Sequence, residues 1–187
     1  MNKDLKIFLI SGKAQHGKDT FANILYEELT LKGHKVLLCH YADLVKYVAK
    51  TFFNWNGEKD ERGRTILQYI GTDVVRQKRP NYWVEFILDI LDLFGENWEY
   101  VIIPDTRFPN EIDMVKQKYD KVQHIRVERP NFTSTLTEEQ LKHYSETALD
   151  DVIADIYVKN KGTIDELRED IKIVMEKGYY LQCQNYL

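Results

Sequence analysis

The chain has 187 residues, is 43% hydrophobic and 30% charged, and is long enough to bury a core within one domain. Its 26 basic and 30 acidic residues leave a net charge of −4, the wrong sign for a general DNA or RNA binder, so no nucleic acid polymer is expected as partner. Cys39 and Cys183 are too few for a disulfide framework, and no apolar run reaches membrane-spanning length. With no signal-peptide pattern before the first apolar segment, a soluble cytoplasmic protein with no membrane partner is the expectation.

Leu5–Ile10 is a short, nearly continuous apolar run, as in a strand buried on both faces. Gly12 to Gly17 interrupts it, and Phe21, Ile24, Leu25 and Leu29 then recur at helical spacing up to Gly33. A second strand is predicted over Lys35–Tyr41, making a βαβ unit with parallel strands. Helices are predicted over Ala42–Phe52 and Asp60–Arg76, and from Trp83 through Phe86, Ile87, Ile90, Leu91 and Phe94 to a stop at Gly95. Tyr100–Ile103 reads as a third strand closed by Pro104, and Pro109 opens a helix carrying Ile112 and Val115. Strands over Lys121–Val127 and Asp155–Val158 precede a last helix with Ile164, Leu167, Ile171 and Val174. The pattern predicts an open five-stranded α/β sheet with helices on both faces and ligands beyond the carboxyl ends of the strands.

The first strand runs into Gly12-Lys-Ala-Gln-His-Gly-Lys-Asp-Thr20, which is G-x-x-x-x-G-K between a strand and a helix. Gly12 and Gly17 let the backbone curl so that successive N–H groups converge on an anion, and the following helix adds its positive end. Lys18 can then reach the outer phosphates; a plain glycine turn is the bland alternative. Position 19 departs from the usual Ser or Thr, so either Asp19 holds Mg²⁺ through a water or Thr20 takes a phosphate contact. Asp105, at the end of the third strand, suits Mg²⁺ or a helix N-cap. Arg107 and Glu111 follow it in the same turn region.

Lys59, Arg62, Arg64, Arg76, Lys78 and Arg79 make residues 59–79 unusually basic for an acidic protein. A solvated helix face explains such a run, as does an arginine-lined phosphate site. Trp83 fits a core position and a ring face for a base equally well. The polar segment 128–146 reads as a lid or as an ordinary crossover, with His143 in a structural hydrogen bond.

Taken together, Gly12–Thr20, Tyr41-Ala-Asp-Leu-Val-Lys46, Gly71-Thr-Asp-Val-Val-Arg76 with Trp83, and Asp105-Thr-Arg-Phe-Pro-Asn-Glu111 resemble the deoxynucleoside monophosphate kinases of bacteriophages. His143-Tyr-Ser-Glu146 and Asn160-Lys-Gly-Thr163 match later landmarks of that family. The resemblance implies a three-layer P-loop kinase fold in a single domain. Its core would span about 1–53, 98–127 and 147–187, with a monophosphate-binding region over about 54–97 and a lid over about 128–146. It also implies ATP and Mg²⁺ as cofactors and a deoxynucleoside monophosphate as substrate. Gly12, Lys13, Ala14, His16, Gly17, Lys18, Asp19 and Thr20 would hold ATP, with Arg129 opening the lid and Asn160 near adenine. Gly71, Thr72, Arg76, Trp83, Asp105, Arg107 and Glu111 would line the deoxynucleotide site, with Asp43 and Lys46 at its edge. Catalysis would rest on Lys18, Arg76, Asp105 and Arg107, and the metal on Asp19 and Asp105. Left open are the bases accepted and whether the chain forms a homodimer. So are two other readings: a kinase for another small phosphorylated acceptor such as phosphomevalonate, and a non-catalytic nucleotide-binding module.

Overall fold

Strand β1 (Lys6–Ser11) sends Ile7 and Leu9 to one face and Phe8 and Ile10 to the other, and all four are buried. A strand apolar on both faces must be covered on both, which makes a layered α/β architecture the stable solution. In the computed structural model, which describes residues 4–58 and 60–177, the five strands are all parallel and lie in the order β2-β3-β1-β4-β5. The others are β2 (Val36–Leu38), β3 (Tyr100–Ile103), β4 (Val122–Glu128) and β5 (Ile156–Lys159). Cys183 and the rest of the tail fall outside the described residues.

Helices α1 (Lys18–Leu31) and α9 (Ile164–Lys177) cover one face, where Phe21, Leu25 and Ile171 pack with Phe8, Ile10, Ile102 and Ile125. Helices α2 (Ala42–Phe52), α5 (Tyr82–Phe94) and α6 (Pro109–Lys118) cover the other. There Val45, Ala49, Trp83, Ile87, Leu91 and Val115 meet Leu5, Ile7, Leu9 and Val101. The three-layer arrangement expected from the resemblance is therefore present. Helix α5 lies in the region expected to bind the monophosphate, yet its apolar face is part of the sheet core.

Two elements differ from the sequence reading for physical reasons. β2 stops at Leu38 rather than Tyr41, because the backbone N–H groups of Tyr41 and Ala42 are taken by the Asp105 carboxylate instead of a neighbouring strand. The single helix predicted over 60–76 is α3 (Glu61–Gln68), a π-helical stretch (Tyr69–Val74) and α4 (Val75–Lys78). The π turn carries Gly71, whose carbonyl accepts from Trp83 Nε1 at 2.9 Å. Segment 128–146 holds α7 (Glu138–Lys142) and the first part of α8 (Tyr144–Thr147).

Among the described residues, no helix is long and apolar enough to cross a membrane. Burial pushes the free thiol of Cys39 up to about 12, so it stays protonated and inert at neutral pH.

Candidate active site

The chemistry-bearing residues gather beyond the carboxyl ends of β1, β3, β4 and β5, at one rim of the sheet. Gly12 has φ +152° and Gly17 φ +91°, backbone that L side chains rarely adopt. A Cβ on Gly12 would run into the Val127 carbonyl, and one on Gly17 into the Asn160 amide, so both positions require glycine. Between them the backbone curls under the start of α1. Asn160 Nδ2 donates to the His16 carbonyl at 3.0 Å, so Asn160 braces the loop from β5. His16 Nδ1 accepts from the Arg129 N–H at 3.1 Å, and burial holds the imidazole below its ordinary pKa, keeping it a neutral acceptor at physiological pH.

Lys18 is only 6% exposed and makes no hydrogen bond or ion pair among the described residues. Burial first, and then the nearby Arg107, pull its ammonium pKa below the usual lysine range. A buried cation without a bonded partner, beside the glycine loop and at the start of α1, is a site prepared for an anion.

Two cavities open on this lysine. The α3-side cavity, about 410 Å³, lies between α2, α3, the π turn, the β3 end and α7. Its walls include Lys46, Gly71, Thr72, Arg76, Trp83, Asp105, Arg107 and Glu111, eight residues expected at a substrate site. The α9-side cavity, about 430 Å³, is lined by Gly17, Thr20, Arg129, Asn160, Gly162 and the start of α9. Gln15, Lys18 and Asp19 line both, so the loop forms the partition between them. Asp43 lines neither cavity. Its carboxylate accepts from Lys46 Nζ and from the His40 N–H, both at 2.9 Å, and so holds Lys46 at the rim. Gly12, Lys13 and His16 also lie behind the walls; Lys13 pairs with Asp150 and donates to the Glu146 carbonyl.

The α3-side cavity is organised by Glu111, which is 1% exposed. One carboxylate oxygen binds Arg76 Nη2, and the other accepts from the N–H groups of Arg107 (2.7 Å) and Phe108 (3.1 Å) at the start of α6. Burial pushes the Glu111 pKa up, while Arg76 and the Arg107 N–H oppose that push. The Arg76 guanidinium also lies 3.8 Å over the Phe108 ring, so its plane is held from two sides. Trp83 is 2% exposed and tied to Gly71, and thus serves the core while its edge reaches the wall.

Asp105 holds a helix start, but from outside the helix and at α2 rather than at the helix that follows it in sequence. Its two oxygens accept from Tyr41 N and Ala42 N, each at 2.9 Å. His143 makes the structural hydrogen bond expected of it, with Ser145 Oγ at 2.8 Å. One residue that sequence reasoning assigned no role is central. The Glu146 carboxylate pairs with Arg107 and accepts from the Ala14 N–H at 2.8 Å. Gln15 likewise ties the loop to segment 134–135, through Thr135 Oγ1 at 2.6 Å and Thr135 N at 3.1 Å.

Residues 39–171 match the family model described as deoxynucleotide monophosphate kinase. The chain belongs to that family. It is 36% identical over 111 residues to the deoxynucleotide monophosphate kinase of Enterobacteria phage T4, covering 58% of this chain and 43% of the phage protein. A putative member from Acanthamoeba polyphaga mimivirus is 30% identical over 192 residues, covering 88% of this chain and 93% of the viral protein. The matches to the T4 protein and its Escherichia phage RB69 counterpart span less than half of those relatives' lengths, at 43% and 44%. Among solved structures, the chain resembles an Aquifex aeolicus shikimate kinase (TM-score 0.52, 15% identity, covering 91% of this chain and 96% of that one). It also resembles a Janibacter sugar kinase (TM-score 0.54, 12% identity, covering 96% and 99%). Those likenesses establish the P-loop kinase fold.

Proposed function

We propose that this protein transfers the γ-phosphoryl of ATP to the 5′-phosphate of a deoxynucleoside monophosphate. The observation that carries this reading is the pair of cavities meeting at Lys18. ATP would enter from the α9 side, its phosphates on the loop's N–H groups, with Arg129 beside it. The acceptor would enter from the α3 side, its phosphate between Arg76 and Arg107. Family membership favours a deoxynucleotide over other phosphorylated acceptors.

The attacking oxygen belongs to a phosphate already largely dianionic at neutral pH, so no strong general base is needed. Rate enhancement comes from alignment and from fixed cations facing the charge of the transition state. Lys18, Arg76 and Arg107 supply those cations, and Glu111 fixes Arg76 by pairing with it.

Mg²⁺ needs only one or two protein carboxylates beside nucleotide phosphates and water. The donor set fits: Asp19 is exposed on the partition and makes no hydrogen bond or ion pair among the described residues, with Thr20 next to it. Asp105 is the weaker candidate, since both its oxygens already receive backbone N–H groups. When bound, the ion neutralises charge shared by the β- and γ-phosphates.

ADP release from ATP, assayed with a panel of deoxynucleoside and ribonucleoside monophosphates and with phosphomevalonate, tests the proposal. Release that depends on a deoxynucleoside monophosphate supports it. Release that only another acceptor stimulates, or ATP binding without any acceptor-dependent turnover, contradicts it.

A further inference from the structure

The Glu146 carboxylate lies against the phosphate loop and Arg107, two partners suited to an anionic ligand. Its side chain is 8% exposed. One oxygen pairs with Arg107, and the other accepts from Ala14 N–H inside the phosphate loop. The chain around it is tied down by the same cations: Lys13 Nζ donates to the Glu146 carbonyl at 2.6 Å and pairs with Asp150, and Arg107 Nη1 donates to the Ser145 carbonyl at 3.3 Å. Residues 145–150 thus use up a loop N–H, a lysine and an arginine that all suit phosphate oxygens. Just beyond, Arg126 donates to the Leu149 and Val152 carbonyls and anchors the segment's far end to β4.

A carboxylate and a phosphate cannot share these partners. They carry like charge, and at close contact in a partly buried site they repel. We propose that Glu146 is a built-in stand-in for phosphate: it holds the Ala14 N–H and Arg107 in register while the loop is empty, and an incoming polyphosphate displaces it, releasing residues 145–150. The idea rests on the proposed kinase reading only for the identity of the natural anion. The free energy of displacement is subtracted from nucleotide affinity, and in return the two cavities stay aligned between turnovers.

The test uses inorganic tripolyphosphate and the full chain, and reads binding rather than turnover, so its outcome is independent of whether the acceptor assay succeeds. Glu146→Gln keeps a hydrogen-bond acceptor but removes the charge. It should bind tripolyphosphate about tenfold more tightly than wild type in calorimetry. A permanent structural clamp would give the opposite, and unchanged or weaker binding by the folded variant overturns the proposal. Should the variant not fold, hydrogen exchange on the wild-type protein decides. Tripolyphosphate should speed exchange over residues 145–150 while slowing it over residues 12–20. Slower or unchanged exchange over 145–150 overturns the proposal.

Discussion

The two cavities that meet at Lys18 are built by different means. The α9 side is shaped chiefly by backbone: two glycines with positive φ, a helix start, and an asparagine bracing a carbonyl. The α3 side is shaped by paired charges, Arg76 with Glu111 and Arg107 with Glu146, packed against Phe108 and Trp83. Backbone cradles are rigid and indifferent to what the phosphate carries. Charge pairs can be broken and remade, and so suit a site that must release product and choose among acceptors. The side where catalysis needs a fixed origin is the rigid one.

Four substitutions or titrations probe that contrast. Lys18→Ala should lower acceptor-dependent turnover by about a hundredfold or more while urea unfolding shows the fold intact, because the partition loses its cation and little packing. Near-normal turnover would mean that the two cavities do not share this lysine. Arg76→Ala leaves the buried Glu111 unpaired and should cost about 3 kcal/mol in urea unfolding. In steady-state kinetics its acceptor KM should rise while the KM for ATP stays put; the reverse pattern would exchange the roles of the two sides.

The third concerns His124, fully buried on β4 with Nε2 2.7 Å from Ser11 Oγ, directly behind Gly12. Burial depresses its pKa to about 4, against an ordinary value near 6.5. Between those values the unfolded chain binds the proton and the folded one does not, so stability falls as pH drops through that window. The loss amounts to about 3 kcal/mol by pH 4. His124→Gln should flatten this part of the stability profile, and an equally steep profile in the variant would assign the slope to other groups. The smallest effect is expected from Asp105→Ala, which removes the carboxylate that holds the start of α2 and should cost about 1 kcal/mol in thermal or urea unfolding. A loss of turnover far beyond that stability cost would point to a direct part in metal binding.

The same contrast explains what could be read from the chain beforehand. Strands such as Tyr100–Ile103, the helix periodicity of α5 and the glycine loop are written in neighbouring residues, and the fold followed from them. The Asp105–Glu111 segment was legible because its residues act within one turn, Glu111 reaching back to the N–H groups of Arg107 and Phe108. The role of Glu146 was not: it stands in the His143–Glu146 landmark, but its partners Ala14 and Arg107 lie 132 and 39 positions away and no local pattern pairs a carboxylate with them. Of the two roles open to Asp105, capping points by proximity to the helix that follows it, whereas folding brings the N-terminus of α2, over sixty positions earlier, against its two oxygens. The π turn at Tyr69–Val74 likewise depends on the Trp83 hydrogen bond to Gly71, which periodicity does not report.

Adenosine and a deoxynucleoside joined through five phosphates would span both cavities at once, its phosphate chain passing Lys18. If the rims face each other end to end, that molecule should bind at least about a hundredfold more tightly than ATP in calorimetry, through the high effective concentration of its second half. An affinity no greater than that of ATP would contradict the end-to-end arrangement.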